Sequence, residues 1–200
     1  MKTIVLASKS KDRSNILTRT GIPFEILVTD INEDNYKKVA KNAIELAKML
    51  AKAKALYAKE ILESKGKQAF IIAADTLVEF NGLIIGKANS EDEAFQILRK
   101  LAGKTHNLIT GVIVAETFNP KVIIDYDSTS VKFLDLNEQE IRGYVKTEEW
   151  KGRAGAYSIN DKASSFVEWI QGSSSNVMGL PMSKIFSIFK REFGLNLLQL

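Results

Sequence analysis

Cysteine is absent from these 200 residues and histidine occurs once. The first absence excludes disulfides, thiolate metal centres and thiol nucleophiles. The second leaves no imidazole pair to hold zinc. Only three prolines occur, and no repeat, low-complexity tract or linker divides the chain. Long apolar runs are missing as well. The opening MKTIVLASKSKDR returns to polar residues after a short apolar core, too short for a secretion signal, and no window approaches the roughly 20 apolar residues of a membrane span. Neither G-x-x-x-x-G-K-[ST] nor G-x-G-x-x-G occurs, which excludes two common nucleotide-binding folds. The net charge of +4 suits a phosphorylated ligand but is too small and too scattered to argue for nucleic acid. These absences predict a cytoplasmic protein with neither membrane nor nucleic-acid partners.

What is present belongs to an ordinary globular chain. An apolar fraction of 45% with 26% charged residues supports a sizeable core in a single domain over 1–200, with one lobe or two. TIVLA (3–7) reads as a buried strand, followed by the polar turn SKSKDR and a helical stretch ending near Gly21. PFEILVTD reads as a second strand closing on Asp30, Glu33 and Asp34. Asn42 with Glu45 three residues on forms a capping box, opening a helix to about Ser64 with Gly66 behind it. Leu46, Ala47, Leu50, Ala53, Tyr57 and Ile61 follow helical spacing and predict its inward stripe.

AFIIAAD (69–75) reads as a strand ending on Asp75, and TLVEF-NG-LIIG as a hairpin about an Asn-Gly turn. Ser90 with Glu93 predicts a second capped helix, stopping at Gly103. HNLITGVIVAET and KVIIDYDSTSVKFL predict two long strands joined around Asn119-Pro120. Asn137 with Glu140 caps a third helix through Val145. The segment 147–180 reads as irregular, and Pro181 opens the last helix. Phe166, Trp169 and the aromatics from Phe186 to Phe193 read as core. Long antiparallel hairpins in an α/β chain predict a mixed sheet with flanking helices.

Polar groups recur at the ends of the first three strands: SKSKDR, DINED and DT. Ligands of open α/β sheets sit beyond the carboxyl ends of strands, so Ser8, Ser10, Arg13, Glu33 and Asp75 are expected to share one site. Two carboxylates without cysteine suit a hard, oxygen-ligated cation, Mg²⁺ or Mn²⁺. Hydroxyls, turn amides, Arg13, Lys54 and Lys87 suit a polyphosphate. Together they point to phosphoryl or nucleotidyl hydrolysis. Each group also has a plain structural reading. An acid at a strand end is commonly a turn or cap residue. Lys54, on the edge of the inward stripe, either snorkels to water or meets an anion. His106 reads as a hydrogen-bonded structural residue.

The ordered blocks LASKSKDRSNIL…GIPFEI, DINE, LAKAKA, AADTLV…NGLIIGKA, LAGKTHNLITGV, GRAGAYSI and NVMGLPMSKI resemble the Maf family of nucleoside triphosphate pyrophosphatases over nearly the whole chain. The resemblance implies an inosine triphosphate pyrophosphatase-like fold, a mixed α/β sheet in two lobes around a cleft, usually as a homodimer. It also implies cleavage between the α and β phosphates with a divalent cation (Mg²⁺, Mn²⁺ or Co²⁺), releasing nucleoside monophosphate and diphosphate. Asp75 matches the family's base and shares the metal with Glu33. Ser8, Ser10, Arg13, Lys54, Lys87 and Arg153 match substrate-binding positions. Asp12, Thr76 and Asn160 match the positions that set base preference.

The chain departs from the family pattern at several of these. The usual Ser-Pro-Arg-Arg is Ser10-Lys11-Asp12-Arg13, Asp-Lys-Ala-Gly is Gly152-Arg153-Ala154-Gly155, Gly-Lys-Pro is Gly86-Lys87-Ala88, and a glutamine becomes Asn160. An acid at position 12 predicts either a helix cap or a shift from UTP and TTP toward bases bearing an exocyclic amino group. The expected role is removal of non-standard or excess nucleotides. The alternative is a nucleotide-responsive regulator of cell division that acts by binding.

Overall fold

A computed structural model of the chain describes residues 2–200. Its elements, in order, are β1 (Thr3–Leu6), α1 (Lys11–Thr20), β2 (Phe24–Ile26), α2 (Asp34–Lys37), α3 (Ala43–Ser64), β3 (Ala69–Phe80), β4 (Leu83–Ile85), α4 (Glu91–Leu101), β5 (Thr105–Glu116), β6 (Val122–Phe133), α5 (Glu138–Val145), β7 (Val167–Gln171), α6 (Ser174–Val177) and α7 (Met182–Glu192). Short 3₁₀ turns cover Lys162–Ser165 and Leu197–Gln199. The seven strands form one sheet in the order β2-β1-β3-β5-β6-β7, with β4 paired to β3. β1 runs parallel to both β2 and β3, placing Val5 opposite Glu25 and Ile71. The pairs β3–β4 and β6–β7 are antiparallel. The sheet is mixed and helix-flanked, as predicted.

The chain divides into two compact units. One comprises residues up to Asp75 with Thr110–Asp127 and Gly179–Leu200; the other comprises Thr76–Ile109 and Ser128–Met178. In the first, Val5, Ala7, Ile71, Ala73, Ile113 and Ala115 pack with Ala51, Ala55, Ala58 and Leu62 of α3. In the second, Val78, Leu98, Leu108, Phe133, Ile141, Trp150 and Phe166 form the centre of a separate core.

Local signals act as the sequence implies at most helix ends. Asn42 accepts from the Glu45 amide at 2.9 Å, although Glu45 reaches back to the Lys41 amide rather than to that of Asn42. Ser90 and Glu93 behave likewise, with Glu93 on the Asn89 amide. Asn137 and Glu140 complete a reciprocal capping box. Asn81 and Gly82 both take positive φ, as a tight hairpin turn requires.

Several expectations are corrected. The second strand stops at Ile26, not at Asp30. The inward stripe of α3 keeps Leu46, Ala47 and Leu50 but continues through Ala51, Ala55, Ala58 and Leu62 instead of Ala53, Tyr57 and Ile61. The cause is close packing. A Cβ at Gly111 of β5 would fall 2.6 Å from the Lys48 amide nitrogen and closer still to the Ala47 carbonyl. A helix pressed that near a strand favours small residues along much of its inward face, here Ala47, Ala51, Ala55 and Ala58. Trp169 is not core: it is 40% exposed, on β7, and that strand lies inside the segment expected to be irregular. Pro181 takes the N-cap position of α7, just before its first turn.

Asp75 does not end a strand. β3 runs on through it to Phe80 because Thr76, Val78 and Phe80 are themselves good strand formers and Val78, Glu79 and Phe80 pair with β4. What changes at Asp75 is the unit to which the strand belongs.

Candidate active site

β1 is buried to its end, and the chain stays buried through Ser8 into a turn that Ser10 converts into a helix start. The Ser10 hydroxyl accepts from the Arg13 amide at 3.4 Å, and its own amide donates to Ser8 Oγ at 3.1 Å. Ser10 is therefore the N-cap of α1. Asp12 is a first-turn acid, where it favours the helix electrostatically, and is not the cap. The same turn aims Arg13 inward. Its Nη1 donates to Ser8 Oγ at 3.2 Å, and its Nε donates to the Gly179 carbonyl at 2.7 Å. Burial lowers the Arg13 guanidinium below its ordinary value, and Asp75, Asp12 and Glu33 pull it back up.

Lys54 stands in the middle of α3, one residue before Ala55 on the buried stripe. Its ammonium bonds to Glu33 Oε1 at 3.1 Å and also to Asp75 Oδ1. The stem does not snorkel: side-chain exposure is 13% for Lys54 and 11% for Asp75, against 41% for Glu33. Of the two readings left open for Lys54, the meeting with an anion is the one realised, and the anion is a pair of carboxylates. Ser8, Ser10, Arg13, Glu33, Lys54 and Asp75 all belong to the first unit.

Asp12 also lies in the first unit, whereas Thr76, Lys87, Arg153 and Asn160 lie in the second. Lys87 forms an isolated antiparallel bridge with Ala154, and the Gly155 amide donates to the Gly86 carbonyl at 3.2 Å. This sets Lys87 beside the Arg153 loop. Arg153 donates from Nε to the Glu149 carbonyl at 2.9 Å and lies 3.5 Å from Asp161 Oδ2. Lys87 and Asn160 are exposed and Thr76 is half-buried. His106 is 1% exposed. Its Nε2 meets the Tyr157 hydroxyl at 2.9 Å, and burial lowers its pKa to about 4. The structural reading of His106 is the one the fold bears out. Sequence reasoning missed Gly179, whose carbonyl fixes Arg13 from 166 residues away. A backbone acceptor carries no side-chain signal, so nothing in the sequence could have found it.

Two carboxylates reaching for one cation are a fitting donor set for a hard divalent ion. Mg²⁺ takes one or two carboxylates from the protein and completes its shell with water and substrate phosphates. No third acid or histidine joins them: among the described residues no group of three or more His, Cys, Asp or Glu could hold a metal ion. That composition suits a cation shared with a substrate better than a fully protein-ligated one.

A mixed α/β sheet that gathers a hydroxyl-lined turn, an inward arginine and a lysine-bridged acid pair is a scaffold for phosphate chemistry. Comparison with known proteins gives the class directly. Residues 3–192 match the family described as Maf-like protein. The chain is 41% identical over 198 residues to a dTTP/UTP pyrophosphatase of Alkaliphilus oremlandii, covering 99% of this chain and 100% of the relative. It is 38% identical to one of Caldicellulosiruptor bescii, covering 100% and 98%. It is 37% identical to one of Clostridium tetani, covering 96% and 98%. The chain belongs to the Maf family. As a member it is an enzyme, a hydrolase of the pyrophosphatase class. Among its described residues no helix is long and apolar enough to cross a membrane.

Proposed function

We propose that the protein hydrolyses nucleoside triphosphates between the α and β phosphates, giving nucleoside monophosphate and diphosphate, and that it does so in the cytoplasm as a homodimer. The observation that carries this reading is the gathering of Arg13, Ser8, Lys54, Glu33 and Asp75 in one unit. Those residue types, in a member of this family, supply cations for a polyphosphate and carboxylates for a base and a metal. Asp75, on a rigid strand, takes the proton of the attacking water. Arg13 offers its guanidinium face, held in place by Ser8 and Gly179, to phosphate oxygens. Lys54 adds charge for those phosphates and Ser8 and Ser10 add hydroxyl or amide donors, while Lys87 and Arg153 are proposed as further substrate-binding cations of the second unit. Glu33 and Asp75 would hold the divalent cation, Mg²⁺, Mn²⁺ or Co²⁺, which when bound supplies charge neutralisation at the phosphates. The role that fits is clearance of non-standard or excess nucleotides.

The relatives' names make dTTP and UTP the first candidate substrates. A second reading is favoured by one observation. Because Ser10 takes the capping hydrogen bond, Asp12 is not needed as a cap, and a carboxylate at a base-selecting position favours bases with an exocyclic amino group. Action as a binding-only regulator of division gains nothing from relatives that are pyrophosphatases by name. ³¹P NMR of the products from UTP, dTTP, CTP and GTP tests the whole reading. Monophosphate plus diphosphate is expected, and release of inorganic phosphate instead would refute the cleavage site. The order of the four substrates decides between the two base readings.

A further inference from the structure

Lys54 contacts oxygens of both Glu33 and Asp75 through a single ammonium nitrogen. A Mg²⁺-type ion bridging the same two oxygens, Glu33 Oε1 and Asp75 Oδ1, would lie about 2.1 Å from each and so compete with the ammonium that now bonds to both. Lysine and divalent cation are therefore alternatives at this acid pair. Lys54 cannot withdraw at no cost: its side chain is 13% exposed, and Arg13 lies within the electrostatic reach of the same acids. A second cation displaced from its counter-ions beside Arg13 needs new anions to meet. Nucleotide phosphates are such anions, and Glu33, with 41% of its side chain exposed, is the side from which the exchange can begin.

We infer that Lys54 is a built-in substitute for the divalent cation, holding Glu33 and Asp75 in the nucleotide-free protein and passing from them to the substrate phosphates as cation and nucleotide enter together. This rests on the proposed metal-binding role of Glu33 and Asp75 and goes beyond it: it assigns an order of binding and a positioning role to Lys54. The nucleotide-free protein then resists loading by a lone divalent cation. The site acquires its metal only with the molecule to be cleaved.

The test is Mn²⁺ binding to nucleotide-free protein, followed by electron paramagnetic resonance. Wild type should bind weakly. Lys54→Met, which keeps the stem and removes the charge, should bind about tenfold tighter or better, because a like charge is removed from the acid pair. The gain should disappear when Glu33→Gln or Asp75→Asn is added. Lys54→Met binding Mn²⁺ no tighter than wild type, while the acid substitutions still weaken binding, overturns the inference and leaves the metal reading intact. Binding indifferent to both acid substitutions overturns the metal reading and this inference with it. If Lys54→Met does not fold, Glu33→Gln alone gives the answer. With excess EDTA it should bind dTTP several-fold tighter than wild type, since Lys54 is released toward the phosphates. Unchanged or weaker binding refutes the exchange.

Discussion

The Lys54 cluster in one unit and the His106 network in the other both take polar atoms out of water, by opposite means. Around Lys54 every group is charged, and one ammonium serves two carboxylates. The ring partners of His106 are neutral and aromatic. The imidazole meets Tyr157 and stacks edge-on with Phe133 at 4.7 Å, Phe133 meets Phe166 at 5.0 Å, and Phe166 meets Tyr144 at 5.1 Å. Burial raises Tyr144 to about 12 and Tyr157 well above its ordinary value, so neither ionises near neutral pH. The neutral network is buried and packed ring against ring, with no charge for an incoming ion to pair with. The charged cluster has alternatives, because any incoming ion can rearrange it. Polarity that can be re-paired belongs to chemistry, and polarity that cannot belongs to architecture.

The largest effect should come from breaking the charged side of this contrast. Asp75→Asn should lower turnover by ~10²–10⁴ if Asp75 is the base, with an unchanged circular dichroism spectrum and a wild-type-like melting transition. A folded variant with near wild-type kcat would remove Asp75 from that role. Next, Arg13→Ala and Lys87→Ala should raise KM for every nucleoside triphosphate by similar factors and weaken diphosphate binding too. A change confined to the ranking of bases would show that these cations read the base instead.

The neutral side sharpens the comparison through pH. His106 has a pKa of about 4 in the fold and an ordinary value of 6.5. Between those values the unfolded chain takes up a proton that the native protein does not. Stability contributed by the neutral imidazole is thus complete above pH 6.5 and lost as pH falls toward 4, by on the order of 3 kcal/mol. Urea denaturation at pH 7 and pH 4.5 should show that loss in wild type and a flatter dependence in His106→Gln. Equal slopes would mean that the ring is not held neutral. The smallest effect is expected from Asp12→Asn. As a base reader it should reorder CTP and GTP relative to UTP by a few-fold while leaving the melting temperature within about a degree or two, as a first-turn charge change that leaves the Ser10 cap intact would. An unchanged ranking would confine Asp12 to the helix.

Local chemistry made much of this readable from the chain. Asn42, Ser90 and Asn137 start helices because their side chains satisfy nearby amides, and Asn81-Gly82 turns a hairpin because both residues accept positive φ. The polar groups after β1 and β2 and within β3 announced themselves by following apolar runs. What could not be read depends on distant partners. The rotation of α3 follows from its distance to β5, and the continuity of β3 through Asp75 from a pairing farther along the strand. The anchoring of Arg13 follows from a carbonyl at Gly179. The exposure of Trp169 likewise reflects the place of β7 at the end of the sheet order, which its composition does not encode.

Gly111 carries no functional group, yet it calibrates the site. Its missing side chain lets the Ala47 turn of α3 rest against β5, and Lys54 stands about two turns farther along the same helix. A methyl group at 111 would act as a shim, lifting the helix and carrying the ammonium away from the acids that meet it. A displacement of ~1 Å can cost ~10²-fold in rate when reacting groups must be aligned. The tolerance of this site is therefore set partly by a residue that a search for reactive side chains would pass over.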